Sequence, residues 1–184
     1  YPGHRYEIDV VGSDAQVDYC VQNYPKREGV KTRFITGNHD LKYFKTQGRD
    51  VGKAIAKERQ DMEYLGQLGA YVNLTDTLRM YLLHPDGGLP YAISYRAQRI
   101  VPGFFGGEKP AILLLGHLHQ TELLFERNVW CLQAGSWQSQ TPFLKRKGIW
   151  PKVGGWIVEA GITQEGERGD CVSSFTPTLK VHVI

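Results

Sequence analysis

Four of the six histidines lie where a short apolar segment of the sequence ends. In the segment AILLLGHLHQ (residues 111–120), His117 and His119 follow the apolar residues directly after Gly116. An apolar run that stops at glycine is typical of a buried strand, and open α/β folds build their sites at the carboxyl ends of such strands. The pair therefore predicts a metal-binding or proton-transferring site, although two isolated histidines are as often ordinary polar residues of a loop.

Two further segments repeat this arrangement. In RFITGNHD (residues 33–40), a short apolar strand precedes a glycine and then Asn38, His39 and Asp40. In LRMYLLHPD (residues 78–86), a run of β-formers ends at His84, and the proline that follows prevents the strand from continuing. Three predicted strand ends thus carry groups that can bind a metal or transfer a proton.

The side chains at these ends suit a transition metal and acid–base chemistry. Imidazole nitrogens and an amide oxygen are neutral ligands that favour manganese, iron or zinc over calcium. His39 follows Asn38 directly, and Asp40 is close enough in sequence to orient its ring, as in a general acid or base. Two metal ions about 3.5–4 Å apart can hold a phosphate and activate a hydroxide for in-line attack.

The order GNHD at 37–40, a single histidine at 84 and GHLH at 116–119 resembles the calcineurin-like metallophosphoesterases. The resemblance implies an α/β fold of two stacked mixed β-sheets flanked by helices, a four-layer sandwich with a dinuclear metal centre at the strand ends. It also implies hydrolysis of a phosphomonoester or phosphodiester, with nucleic acid and nucleotides among the substrates that it allows.

The same resemblance implies roles for individual residues. Two divalent ions, most simply manganese, iron or zinc, would be bound. Asn38, His84 and His117 would bind one ion, and His119 would bind the other. His39 would protonate the leaving group with support from Asp40.

The sequence departs from the family pattern in its first motifs. It contains no Asp-x-His, and its only Gly-Asp pair, Gly169–Asp170, comes after GHLH. We therefore expect residues 1–184 to be a single metallophosphoesterase domain truncated at its N-terminus, with the N-terminal strands missing. Such a chain would be inactive alone and would hold at most one ion weakly. It would also show an unpaired strand edge or exposed apolar surface beside the strands at 30–35 and 112–115.

Composition is ordinary for one globular domain. Of the 184 residues, 41% are hydrophobic and 22% charged, and the net charge of +3 permits a phosphate-bearing partner without requiring one. The three cysteines are far apart and in no metal-binding spacing, which indicates free thiols in a reducing, cytoplasmic compartment. No segment approaches the length of a membrane span.

Periodicity, glycines and prolines predict the elements that must position these residues. Helices are predicted over residues 14–24, 51–68 and between Pro90 and Pro102. Strands are predicted over residues 30–35, 71–74, 78–83, 111–115, 122–125, 129–132, 156–158 and 172–183, with a loop over 135–151. The strands at 122–125 and 129–132 are predicted to form a hairpin with Arg127 and Asn128 in its turn. A polar loop is predicted between Asp40 and the helix over 51–68, whose apolar face includes Met62 and Leu65.

Two further features bear on the substrate. Lys145, Arg146 and Lys147 form a basic triplet that could contact a nucleic-acid backbone, although such triplets are more often solvated loops. Trp137 and Trp150 lie in the same loop and are candidates for a substrate rim, whereas the other two tryptophans fall in strand patterns. The alternative to an enzyme is a non-catalytic scaffold with the same fold, such as an accessory subunit of a DNA polymerase.

Overall fold

The computed structural model describes residues 7–164 and 169–181. The chain forms two compact units, Tyr1–Ala70 and Tyr71–Ile184. The structure is a mixed α/β fold in which a multi-stranded mixed sheet is flanked by helices, as the sequence predicted. None of the helices among the described residues is long and apolar enough to span a membrane.

The first unit contains three helices and a parallel pair of strands. Its elements, in chain order, are α1 (Ser13–Asn23), β1 (Thr32–Thr36), α2 (Asn38–Gln47), α3 (Val51–Glu58) and β2 (Met62–Gln67). β1 and β2 pair in parallel from Thr32 opposite Met62 to Thr36 opposite Gln67. The crossover between them is helical, which is the usual connection between parallel strands.

The predicted helix over residues 51–68 is wrong in its second half. α3 begins after Asp50, whose carboxylate accepts a hydrogen bond from the Lys53 N–H, and it ends at Glu58. Met62 and Leu65, which the sequence placed on its apolar face, lie in β2. Residues 62–67 form backbone hydrogen bonds with β1. This pairing overrides the helical spacing of their apolar residues, because tertiary contacts outweigh local helix preference.

Helix α2 is an element that the sequence did not predict. Residues 41–47 fall in the polar loop that the sequence predicts, but they continue the helix that Asn38 begins. The helix ends at Gly48, which has a left-handed φ of 66° and donates its N–H to the Phe44 carbonyl. This glycine ending is a recognisable helix signal that a search for apolar periodicity overlooks.

Buried Arg59 joins the end of α1 to the start of β2. Its guanidinium donates to the carbonyls of Val21, Tyr24 and Pro25 and forms a two-point ion pair with Asp61. Only 7% of Arg59 is exposed. The first unit is therefore held together in part by a charged group that satisfies the carbonyls at the C-terminal end of α1.

The second unit is built on a five-stranded sheet in the order β3-β4-β5-β7-β6. The strands are β3 (Gly69–Asn73, which begins in the first unit), β4 (Arg79–Leu83), β5 (Ile112–Leu115), β6 (Thr121–Glu126) and β7 (Val129–Ala134). β5 is parallel to both β4 and β7, and β6 returns antiparallel to β7. The predicted hairpin is confirmed, with Arg127 and Asn128 both at positive φ in its turn.

The core of this unit lies where one helix covers the sheet. α4 (Tyr95–Ile100) continues into a 3₁₀ turn, Val101–Gly103, within the predicted helical region. The fully buried cluster consists of Ala97, Val101, Leu113, Leu115, Val129 and Cys131. Burial raises the pKa of the Cys131 thiol to about 12, and no disulfide forms among the described cysteines.

A long antiparallel ribbon completes the described part of the second unit. β8 (Gly154–Gln164) pairs with β9 (Asp170–Val181), and a short helix, α5 (Pro142–Arg146), lies in the predicted loop before it. Trp130 of the five-stranded sheet stacks on Phe175 of the ribbon at a centroid distance of 4.5 Å. The last residues of the predicted strand 172–183 lie outside the described part of the chain.

Within the described residues, the expected unpaired edge is found beside β1 and not beside β5. β1 pairs with β2 alone within residues 7–164 and 169–181. β5, by contrast, has a partner on each side, so the expected unpaired edge beside it is wrong. The four residues of β5 lie in the middle of the sheet because β4 and β7 pair with it on opposite sides.

Candidate functional site

The candidate residues divide between the two units. Asn38, His39 and Asp40 form the first turn of α2 in the first unit, and the three other histidines belong to the second. The Gly37 N–H donates to the Asp40 carboxylate at 2.8 Å. A carboxylate in this position satisfies a helix N-terminus. Asp40 thus has a structural task that the sequence did not predict, and its predicted support of His39 remains a prediction.

His39 and Asp40 line a cleft on one side of the first unit. The cleft has a volume of about 270 Å³ and is lined by Ile8, Gln16, His39, Asp40, Lys42, Tyr43, Thr46 and Gln47. It offers an imidazole, a carboxylate, a phenol and an ammonium group, which are groups that exchange or orient protons.

In the second unit the register of two parallel strands places His84 beside His117. Leu83 of β4 is paired with Leu115 of β5, and the Gly116 N–H donates to the Leu83 carbonyl at 3.0 Å. The residues that follow both strands therefore emerge at one edge of the sheet, as the sequence predicted from their apolar runs. A Cβ at position 116 would lie 3.5 Å from His84 Nδ1, an ordinary van der Waals contact, so the His84 ring lies directly beside this backbone.

The two imidazoles contact each other directly. His117 Nδ1 lies 3.0 Å from His84 Nε2, and His117 Nε2 lies 2.7 Å from the Gly87 carbonyl oxygen. A carbonyl oxygen only accepts, so His117 Nε2 must carry a proton and donate it. In the neutral ring this leaves Nδ1 with its lone pair directed at His84.

The turn that carries GHLH has an unusual backbone. His117 has φ 76° and His119 has φ 56°, and the Leu118 N–H donates to the Gly116 carbonyl at 3.0 Å. A hydrogen bond across two residues around a central φ near +75° is a γ-turn of the rarer, strained form. Non-glycine residues held in such conformations cluster at functional sites, where the fixed direction of the side chain is useful.

His119 lies half-buried beside this turn. Its Nδ1 has no hydrogen-bond partner among the described residues. Burial, with a smaller contribution from the charge of His117, lowers the pKa of His119. This shift favours the neutral ring, which is the form that binds a metal ion.

The arrangement of His84 and His117 fits a metal ion. His84 Nε2 and His117 Nδ1, which lie 3.0 Å apart, are the two nitrogens that would hold the ion, and both are borderline ligands suited to a transition metal. A ligand histidine ordinarily donates its other N–H to a carbonyl or carboxylate, as His117 does to Gly87. Within the described residues no group of three or more His, Cys, Asp or Glu side chains forms a complete metal cluster.

The sequence did not identify Gly87 as part of this site. Its carbonyl is presented by the turn after Pro85, where Gly87 has φ 90°. The Gly87-Gly88 pair was a visible turn signal, but its backbone partner depends on the folded sheet. In the Gly169–Asp170 pair, Asp170 begins β9, and its N–H donates to the Thr77 hydroxyl.

The predicted substrate residues occupy an exposed loop of the second unit. Trp137 is 79% exposed, and Trp150 is 67% exposed. Lys145 and Arg146 end α5, and Lys147 follows it; all three are exposed. Trp130 and Trp156 are half-buried in strands, as predicted.

No protein-family model matches the sequence, and no curated protein matches it. Among solved structures, an archaeal phosphodiesterase is 11% identical over 94% of this chain and 79% of its own, with a TM-score of 0.46. A single mutant of Vps29 from Entamoeba histolytica is 13% identical over 91% of this chain and 89% of its own, with a TM-score of 0.42. A predicted phosphoesterase from Streptococcus pneumoniae is 13% identical over 82% of this chain and 98% of its own, with a TM-score of 0.41.

Proposed function

We propose that the protein is a metal-dependent phosphoesterase that hydrolyses a phosphomonoester or phosphodiester. The observation that supports this most directly is the pair of imidazoles at the ends of β4 and β5. His84 Nε2 and His117 Nδ1 are 3.0 Å apart, and the far nitrogen of His117 is fixed by the Gly87 carbonyl. We assign His84 and His117 as ligands of one divalent ion.

A divalent ion, when bound, supplies Lewis-acid polarisation of a phosphoryl oxygen. The protein's part is to present neutral ligands in fixed directions, because a protonated or misdirected imidazole does not bind metal. The strained γ-turn fixes the direction of His117, and partial burial lowers the pKa of His119 and so favours its neutral form. Manganese, iron and zinc suit these borderline nitrogen ligands.

The remaining roles follow the motif resemblance. His119 is assigned to a second ion, and Asn38 is assigned as an oxygen ligand. His39 is assigned as the proton donor to the leaving group, in keeping with its place beside Asp40 in a cleft that contains several proton-exchanging groups. Neutral ligands leave two dications uncompensated at short range, so a complete dinuclear centre also requires carboxylate ligands.

The test combines metal analysis with hydrolysis. Purified full-length protein supplied with Mn²⁺, Fe²⁺ or Zn²⁺ is expected to bind metal and to hydrolyse p-nitrophenyl phosphate or bis-p-nitrophenyl phosphate. His84→Ala should lose both properties. Tyr19→Ala, at an exposed aromatic residue on α1, is the control that should lose neither. A protein that recruits no transition metal and hydrolyses neither ester would instead favour the non-catalytic scaffold.

A further inference from the structure

The positive charge of the protein is concentrated in one segment, which we call the basic loop (residues 135–153). It contains four of the 22 lysines and arginines and none of the 19 acidic residues, so the rest of the chain, with 18 basic and 19 acidic residues, has a net charge of −1. Within the described residues, Lys145, Arg146 and Lys147 form no ion pair, and all three are exposed. An uncompensated cluster of this kind attracts a polyanion.

The basic loop also exposes two indole rings. Trp137 is 79% exposed and Trp150 is 67% exposed. The edge of the Trp137 ring lies against the backbone of Gly155, where an added Cβ would be 3.3 Å from its Cζ2 atom. Tryptophan is usually well buried, so two largely exposed indoles beside a basic triplet indicate a surface that binds flat, apolar groups.

Hydrogen bonds connect the basic loop to the end of the five-stranded sheet that carries His84, His117 and His119, which we call the histidine end. The Lys152 N–H donates to the His119 carbonyl at 2.9 Å, and the Gln120 side chain donates to the Trp150 carbonyl at 3.0 Å. Trp150 is thus tied to the residue that directly follows the GHLH motif. The backbone of the basic loop at Trp150 therefore lies beside the histidine end of the sheet.

The basic loop is also braced internally. The Ser136 N–H donates to the Lys152 carbonyl at 3.0 Å, and the Gly154 N–H donates to the Ser136 carbonyl at 2.8 Å. The Thr141 side chain caps α5, and Leu144 is buried. The loop is therefore an ordered platform, and binding to it carries a small cost in ordering.

We propose that the basic loop binds single-stranded nucleic acid beside the histidine end of the five-stranded sheet. Trp137 and Trp150 stack on bases, and Lys145, Arg146 and Lys147 contact phosphates. A single strand fits better than a duplex because only unpaired bases present their faces to an indole. A polynucleotide is then the phosphodiester that the proposed phosphoesterase hydrolyses. Hydrolysis of the bound strand rests on the proposed function, whereas binding does not.

Binding is measured in EDTA, so that it does not depend on hydrolysis. The probe is a fluorescein-labelled oligothymidylate of about 15 nucleotides, within the usual site size of single-strand binders. The Lys145→Ala/Arg146→Ala/Lys147→Ala variant should bind about tenfold or more weakly. The slope of log affinity against log salt should fall by about 2, since each lost phosphate contact removes about 0.7. The matched control, Lys26→Ala/Arg27→Ala/Lys45→Ala, removes the same charge from exposed positions of the first unit and should bind like the wild type.

Stacking is tested separately from charge. Trp137→Ala should weaken binding about tenfold, the scale of one lost base stack, whereas Trp137→Phe should retain most of it. Tyr19→Ala, an exposed aromatic residue outside the basic loop, should have no effect. Each variant is accompanied by a thermal unfolding curve. If Trp137→Ala does not fold, Trp150→Ala, at the second exposed indole, replaces it and should also weaken binding about tenfold.

Several outcomes would overturn the inference. The first is an equal loss of affinity in both triple variants. The second is a duplex that binds more tightly than the single strand. The third is normal binding by the tryptophan variants together with displacement of the oligonucleotide by heparin. Ester hydrolysis without oligonucleotide binding would refute this inference and leave the proposed function standing. Oligonucleotide binding in a protein that neither holds metal nor hydrolyses esters would refute the proposed function and leave nucleic-acid binding by the basic loop standing.

Discussion

His117 and His84 share one hydrogen-bond contact of 3.0 Å, while the opposite nitrogen of His117 donates to the Gly87 carbonyl. The second contact fixes which nitrogen of His117 bears its proton and therefore which nitrogen has a free lone pair. Because His117 Nδ1 accepts in this contact, the proton between the rings belongs to His84 Nε2. An ion held by both nitrogens would displace that proton, so binding releases a proton or moves it to His84 Nδ1.

The metal affinity of the second unit should depend on both rings. His84→Ala and His117→Ala should each lower the affinity for Zn²⁺ or Mn²⁺ by about 100-fold or more, since loss of supporting contacts alone costs 10–100-fold. Isothermal titration calorimetry at neutral pH measures this. Replacing Lys180, an exposed β9 residue, by alanine is the control. Affinities unchanged in both histidine variants would exclude the pair as ligands.

The role of His39 should differ from that of His117. His39→Asn should lower turnover of a phosphate ester by about 10²-fold or more, the scale of a lost general acid, because the amide donates no proton to a leaving group. Metal content should stay near that of the wild type. Turnover and metal content are measured on the same preparations. A loss of metal as large as that of His117→Ala would make His39 a ligand instead.

The γ-turn at His117 should make glycine more stable than alanine at this position. Both His117→Ala and His117→Gly remove the ring, but only glycine adopts a φ of 76° without strain. His117→Gly should therefore be more stable than His117→Ala by about 1 kcal/mol, as measured by urea unfolding in EDTA. At Lys57, an exposed residue of α3, the same comparison should reverse, because glycine weakens a helix by about 1 kcal/mol. Equal stability of the two His117 variants would show that the turn stores no strain.

The ion pair between Arg59 and Asp61 should make stability depend on pH. The hydrogen bond from Arg59 lowers the pKa of Asp61 to about 2, below the unfolded value of about 3.9. A lowered carboxyl pKa means that the stabilisation is complete above about pH 4 and is lost as the pH falls towards 2. Asp61→Asn should therefore lower the urea midpoint at pH 7, and its deficit should shrink at acid pH.

The control for this prediction is Asp14→Asn, which removes the exposed partner of Arg49. Exposed ion pairs contribute little, so this variant should change the midpoint much less. An Asp61→Asn deficit that stays constant from neutral pH to the acid limit of folding would show that the pair does not contribute through its charge.

Much of the sheet around the candidate site could be predicted because its signals are local. Glycine, proline and apolar runs marked β4, β5 and the β6–β7 hairpin, and the hairpin turn at Arg127 and Asn128 was visible as two residues between apolar segments. The prediction failed at Met62 and Leu65. Their spacing suits a helix, but their backbone groups find partners on β1, and a single sequence window carries no information about a distant partner.

The sequence by itself determined the type of chemistry. It supplied histidines at predicted strand ends, a basic triplet between two tryptophans of one loop, and an excess of positive charge confined to residues 135–153. Only the tertiary structure decided which of these groups meet. The pairing of Leu83 with Leu115 brings His84 to His117, and the bond from Lys152 to the His119 carbonyl brings the basic loop to the same edge. The physical reason is that the register of parallel strands, and the backbone contacts between segments far apart in sequence, are settled only when the sheet assembles and every buried N–H and C=O needs a partner.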